Sequence, residues 1–391
     1  MTEMNKKKLK VFVAMSGGVD SSVAAALLKK EGYEVIGVHM KCYNLDGCGE
    51  RDAEDARRAA EHLNIPFYVF DFEKEYKDRV VKYMIDSYKK GITPNPDVMC
   101  NKEIKFGLFL EKALKIGADF VATGHYVKLA TCKIRHGENA SKSALSHVAC
   151  PISLCIARDR NKDQSYFLWT LTHKQLKHCL FPIGGYTKPQ VRKIAAKFGL
   201  HNALKKDSQG ICFLGQISLP DFLKKYIKQK KGDILLITSG SDLTSSPTNY
   251  SPSLSRGYIK IGIHNGVHLY TIGQRHGLNI GGYSKPLYVS EKNIKKNIVY
   301  VAEGENHPAL YKKEVNLVNV NFQSLILNRK SFPGYARGRY RQPLEKATLQ
   351  PINSSTAQLK FDRPVKFVAE GQSAVFYDKK GAMLGGGIIV Y

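Results

Sequence analysis

The 391-residue sequence contains no run of eighteen apolar residues, so a membrane-spanning helix is not expected. It has no CxxC pair, and its eight cysteines, at positions 42, 48, 100, 132, 150, 155, 179 and 212, keep no regular spacing. That distribution excludes a disulfide scaffold, and with no histidine pair to complete a ligand set it argues against zinc or an iron–sulfur cluster. Carboxylates are scarce: 34 Asp plus Glu stand against 60 Lys plus Arg, a net charge of +26. Such asymmetry points to a polyanionic partner, nucleic acid first, although lysine enrichment from base composition is the alternative and charge alone does not choose between DNA, RNA and acidic lipid. The opening MTEMNKKKLK is basic but lacks the length and cleavage site of a secretion signal, so a cytoplasmic location with reduced thiols and no membrane partner is expected.

What is present is organised. From Leu9 to His125, short β-branched runs (LKVFVAM, EVIGVHM, PFYVFDF, ADFVATGH) alternate with amphipathic stretches over 22–30, 52–63, 73–88 and 102–116. This βαβ repetition predicts a mostly parallel α/β sheet of Rossmann type, with ligands at the carboxyl ends of its strands. Helical patterning resumes over 166–180 and over 188–198, the latter preceded by Thr187 and carrying Pro189 in its first turn. Two stretches, 130–157 and 238–256, lack any period and read as insertions. Past Gly257 short strands follow one another, predicting a small C-terminal β-barrel. The expected domains are a catalytic domain over 1–216, a small central domain over 217–285 and a barrel over 286–391.

The strongest chemical signal is Ser16-Gly17-Gly18-Val19-Asp20-Ser21-Ser22, between the first strand and a helix. Backbone N–H groups of a glycine loop, backed by the positive end of a helix, hold phosphate oxygens, and the serine hydroxyls add donors. The loop is not a Walker motif, because no GK[ST] follows, and not GxGxxG, because its glycines are adjacent. In TPNPDVMC, Pro94 and Pro96 stiffen a loop that presents Asn95, Asp97 and Cys100. Cys212 follows Gly210, where a sharp bend is allowed; read alone, either cysteine is also an ordinary core residue. His125 and Met40 end strands at the expected ligand crevice, and each admits a structural role. Lys162-Asp163-Gln164, Arg339-Tyr340-Arg341-Gln342 and Gln274-Arg275-His276 mix cations, amides and rings, which suits RNA and equally suits a solvated face.

SGGVDSS resembles the pyrophosphate loop of the N-type ATP pyrophosphatases, the PP-loop superfamily. The remaining segments resemble one family within it, the tRNA-specific 2-thiouridylases: TPNPDVMCNKEIKFG from Thr93, ATGHYV from Ala122, NKDQSYFLWTL from Asn161, KPQVRKIA from Lys188, KKDSQGICF from Lys205, YTIGQRHGL from Tyr270, RYRQ from Arg339 and EGQSAVFY from Glu370. They run in order along nearly the whole chain; the two aperiodic insertions are the departures.

The resemblance implies ATP-dependent 2-thiolation of the wobble uridine of tRNA. It assigns ATP to Ala14, Met15, Ser16, Gly17, Gly18, Val19, Asp20, Ser21, Met40 and Gly124, with Mg2+ on the phosphates and Asp20 as a candidate ligand. It assigns tRNA to Asn95, Pro96, Asp97, His125, Lys162, Asp163, Gln164, Arg339, Tyr340 and Gln372. Cys100 is implied as nucleophile, Cys212 as bearer of a persulfide sulfur, and Asp97 as a candidate acid or base. The attacking species is then the persulfide or sulfide released by Cys100. The sulfur comes from a relay protein or a cysteine desulfurase-derived persulfide donor. A PP-loop amidotransferase or ligase is the alternative enzyme and gives the cysteines no role; a non-catalytic nucleic-acid module leaves the phosphate loop unexplained.

Overall fold

The computed structural model describes residues 8–45, 47–131, 152–206, 212–215, 217–238, 257–323 and 330–391. The stretches expected as insertions lie mostly outside these residues.

The first domain alternates strand and helix: β1 Lys10–Ala14, α1 Val19–Lys30, β2 Glu34–Lys41, α2 Cys48–His62 and β3 Phe67–Asp71. A continuous helical stretch follows, α3 Glu73–Tyr76, π-helical turns over Lys77–Val81 and α4 Lys82–Lys89. Then come α5 Pro96–Cys100, a second π-helical segment Asn101–Leu108, α6 Phe109–Lys115 and β4 Phe120–Thr123. The antiparallel pair β5 Val127–Thr131 and β6 Ile152–Ile156 leads to the short α7 His173–Leu176, β7 Cys179–Leu180 and α8 Lys188–Lys197. The expected helix over 166–180 is not formed. A 3₁₀ turn at Ser165–Leu168, α7 and β7 share that stretch, because Tyr166, Leu168, Trp169 and Leu171 are each buried and no single helical face could bury them all.

The sheet order is β3-β2-β1-β4-β7, with every pair parallel. Side chains alternate across it: Phe12 and Ala14 of β1 join the core cluster beneath α3–α6, while Val11 and Val13 join the one beneath α1, α2 and α8. Burial on both faces is why these strands read as unbroken apolar runs. The order reverses between β1 and β4, which opens the crevice at their carboxyl ends.

After α9 Leu219–Lys224, a four-stranded sheet is formed by β8 Gly232–Thr238, β9 Gly257–His264, β10 Leu287–Asn293 and β11 Ile298–Glu303, in the order β10-β11-β8-β9. The expected boundary at 285/286 therefore falls inside this unit: β11 pairs with β8 through Ile298↔Asp233 to Val301↔Leu236, and Val289, Val299 and Val301 share a core with Ile234. The remaining strands are β12 Tyr311–Phe322, β13 Phe332–Arg337, β14 Glu345–Pro351, β15 Ala357–Lys366, β16 Ser373–Tyr377 and β17 Met383–Val390. They close into a barrel in the order β12-β15-β14-β13-β16-β17. Among the described residues no helix is long and apolar enough to cross a membrane.

Candidate active site

The loop after β1 turns on Gly17, whose φ of +75° favours glycine; a Cβ there would lie 2.3 Å from the Asp52 carbonyl oxygen. Gly18 is the N-cap of α1, so the first amides of that helix open into the crevice without a side-chain cap. Hydroxyls set the loop's shape. Ser21 Oγ accepts from Ser16 N–H at 3.1 Å and donates to Gly18 O at 3.1 Å, and Ser22 Oγ also donates to Gly18 O at 3.1 Å. From the other wall Gly124, after β4, comes so near that a Cβ would stand 2.6 Å from Ser21 N. Ala14, Met15 and Val19 are buried supports of this turn, and Met15 O lies 3.1 Å from the neutral, buried His39 ring. Burial holds the His39 pKa below its usual value despite that bond.

Asp20 is engaged from two sides. Lys188 Nζ, at the start of α8, donates to both carboxylate oxygens at 2.9 Å, and Tyr126 OH donates to one at 2.8 Å. Asn202 Nδ2 donates to Gly17 O at 3.1 Å and Ser22 Oγ at 2.9 Å, while its Oδ1 is buried without a partner. Lys205 Nζ bridges Asp52 and Asp55, each at 2.7 Å, and reaches Gly17 O at 3.4 Å. Sequence reasoning missed Lys188, Asn202 and Lys205 as neighbours of the loop; their signal was only that Lys188 and Lys205 head recognisable motifs. A glycine-serine turn at the N-terminus of α1, with Lys188 on Asp20 and Lys205 on Gly17 O beside it, fits the phosphates of a nucleotide. Met40, at the end of β2, is half-buried against the main core.

The second candidate segment runs from Asn95 to Cys100. Asn95 Oδ1 accepts from Val98 N–H at 3.2 Å and caps α5, with Pro96 in the first turn. Burial raises the Asp97 carboxyl pKa, with Lys105 pulling the other way. Cys100 ends α5, is half-buried and forms no disulfide. Cys212 begins the 3₁₀ turn Cys212–Leu214, but its side chain and residues 207–211 lie outside the described residues.

Several residues expected at RNA are turned inward. Asp163 is 2% exposed: it forms an ion pair with Arg337 of the barrel at 3.0 Å and accepts from Ala157 N–H and the Ser165 hydroxyl, so it has no surface to offer RNA. Its lone pairs are spent joining two domains. Gln164 Oε1 accepts from Tyr126 N–H at 3.0 Å, and Gln372 Nε2 donates to Thr93 O and Pro94 O at 3.0 and 2.9 Å. The His125 ring sits against Phe106 and Phe181 with Nδ1 2.7 Å from Thr123 Oγ1, and burial depresses its pKa well below the usual value. It is a neutral wall of the crevice and carries no charge for a phosphate. Lys162 is half-buried; Arg339 is exposed, and Tyr340 packs on Phe167 with ring centroids 4.4 Å apart.

A parallel sheet with an adjacent-glycine, serine-rich loop at its reversal point defines an α/β nucleotide-binding protein of the HUP type. Residues 9–216 match the family described as the tRNA methyl transferase HUP domain, 256–303 its PRC-barrel domain and 309–389 an aminomethyltransferase beta-barrel domain. The chain is 44% identical to the tRNA-specific 2-thiouridylase MnmA of Karelsulcia muelleri, over 99% of this chain and all of that protein. It is 45% identical to MnmA 1 of Geobacillus kaustophilus, over 98% and 96%, and 42% identical to MnmA of Listeria innocua, over 98% and 95%. The chain belongs to the tRNA-specific 2-thiouridylase family.

Proposed function

We propose that this enzyme thiolates C2 of the wobble uridine of tRNA, using ATP to turn the C2 oxygen into a leaving group. What carries this reading is the glycine-serine turn Ser16–Ser22 at the N-terminus of α1 in a domain that also presents a carboxyl and a thiol at Asp97 and Cys100. A carbonyl oxygen is a poor leaving group, and a phosphate-binding loop answers that difficulty by letting ATP activate it. A methyl transfer, after which two of the matching domain families are named, has no need of such a loop.

In this reading the cradle and the first turn of α1 hold the β- and γ-phosphates while the uridine C2 oxygen attacks the α-phosphorus and pyrophosphate departs. Magnesium brought in on the phosphates would have Asp20 as the nearest candidate ligand, and would neutralise charge on the departing pyrophosphate; Lys188 holds that carboxylate here. Asp97, made a stronger base by burial, takes and returns the proton that moves during activation. The terminal sulfur of a persulfide on Cys212 then bonds to C2, and AMP leaves with the oxygen. Cys100 thiolate attacks Cys212 Sγ, the sulfur–sulfur bond breaks, thiouridine is released and a Cys100–Cys212 disulfide remains for a dithiol reductant to open. The persulfide comes from a relay protein or a desulfurase, a donor class suited to the cytoplasm.

Protein, ATP, Mg2+, tRNA and a persulfide donor should yield AMP, pyrophosphate and 2-thiouridine on nucleoside analysis. Cys212→Ala and Cys100→Ala should each lower thiouridine by more than about 10²-fold. Undiminished thiouridine from either variant overturns the cysteine assignment, whereas ATP turnover that survives thiol alkylation without forming thiouridine favours an amidotransferase or ligase.

A further inference from the structure

Lys292 lies in β10 of the central sheet, yet its ammonium serves another domain. Nζ donates at 2.8 Å to Tyr270 O, in its own domain, and at 2.8 Å to Gly91 O, in the catalytic domain. Gly91 follows α4 and opens the segment that runs into Pro94-Asn95-Pro96-Asp97. Further along, Thr93 N–H donates to Glu370 O of the barrel at 3.1 Å, and Gln372 Nε2 takes the carbonyls of Thr93 and Pro94. The carbonyls of Gly91, Thr93 and Pro94 are thus each bonded by a side chain from outside the catalytic domain. From Asn95 onward the segment is rigid in itself: the cap onto Val98, Pro96 and α5 tie it to Cys100. Gly91, held from the central domain, and Thr93 and Pro94, held from the barrel, are thus the points at which the other two domains set where Asp97 and Cys100 stand.

An apolar side chain would fill this space at less expense than a buried ammonium. Burial pushes the Lys292 pKa down to about 8, with Glu370 opposing the shift, so the protein keeps a cation where stability alone disfavours one. Two carbonyls from two domains account for it: each needs a donor, and the flexible four-carbon stem of lysine reaches both.

We propose that Lys292 is a positioning residue for the thiolation site, tying the Gly91 carbonyl to the central domain and thereby fixing Asp97 and Cys100 against the nucleotide loop. This rests on the reading of Asp97 and Cys100 as reacting groups, so one of the measurements that test it is independent of thiolation.

Full-length Lys292→Met and Lys292→Arg are compared with the unaltered protein in two assays. In the first, the rate at which iodoacetamide alkylates Cys100, resolved by peptide mass mapping, should rise at least about threefold in the Met variant and stay within about twofold in the Arg variant, which keeps charge and donors. In the second, kcat for tRNA-dependent AMP formation should fall about 10²-fold in the Met variant with KM for ATP within about twofold, and the Arg variant should recover most of it. Wild-type alkylation in a folded Met variant overturns the proposal, as does altered alkylation with unchanged kcat. Where the Met variant fails to fold, Lys292→Gln takes its place under the same criteria. Unaltered protein that never forms AMP or thiouridine defeats the functional reading, while the alkylation comparison still decides whether Lys292 holds the segment.

Discussion

At Gly124 the distance between two backbones decides whether the loop can form. The turn after β4 passes so close to α1 that an alanine Cβ would meet Ser21 N at 2.6 Å and the Asp20 carbonyl carbon at 2.7 Å. Neither atom is the end of a flexible side chain, so the clash must be relieved by moving the phosphate loop. Gly124→Ala should raise the ATP KM and lower kcat/KM by about 10²-fold, on the reasoning that a misplacement near 1 Å costs that much, with a smaller loss of stability from overpacking. Steady-state AMP formation against ATP concentration checks it, and an unaffected KM would mean the loop tolerates displacement. The same residues explain why Asp20 was legible as a site residue and Lys188 was not. Asp20 sits inside the loop, whereas the ammonium that meets it is 168 positions away and only the fold brings it there.

At the scale of elements, α5 is short and carries two of the candidate reacting groups. It opens a helical run that continues through Asn101–Leu108 into α6, and Pro96 in the first turn and the Asn95 side chain on Val98 N–H fix where that run starts. Asn95→Ala should destabilise the protein by about 1 kcal/mol, read as a lower urea midpoint. Asn95→Ser should restore the midpoint while leaving thiolation impaired, which separates the cap from recognition of the base; equal recovery of both would leave Asn95 a cap alone. The proline pair and the strand–helix alternation were readable because each is encoded within a dozen residues. The stretch 166–180 was not, since its rings are buried against Ser373 and the barrel: Tyr166 OH donates to Ser373 O and Trp169 Nε1 to Ser373 Oγ, both at 2.9 Å. The inter-domain bonds of Asp163 and Gln372 were hidden for a related reason. Polar residues in a motif look alike whether they face RNA or a partner in another domain, and only the Arg337 pair and the Thr93 carbonyl told them apart.

Across the whole molecule the three units are bound by contacts that sequence patterns do not encode. Val375, Tyr377 and Met383 of the barrel belong to the main core cluster of the catalytic domain, and Lys292 ties the central sheet to the segment before α5. That tie makes stability depend on pH with a definite sign. The Lys292 pKa is about 8 in the folded protein, against an ordinary value of 10.5. Below pH 8 the amine is protonated in both states, and the penalty for burying its charge is present in full. Between pH 8 and 10.5 the unfolded chain keeps a proton that the folded chain has released, so this group makes unfolding harder as pH rises. The span corresponds to roughly 3 kcal/mol. Two charged or titratable groups face it: Glu370 holds the pKa up, and His268, whose own pKa is lowered by burial and then by the Lys292 charge, stays neutral throughout. Tyrosines and other lysines titrate in the same window, so the quantity to measure is a difference. Urea unfolding of the unaltered protein and of Lys292→Met at a series of pH values should show the variant losing ground by roughly 3 kcal/mol between pH 7.5 and 10.5. A difference that stays flat would mean that the ammonium is not desolvated in solution, and that Gly91 is held by something other than a buried cation.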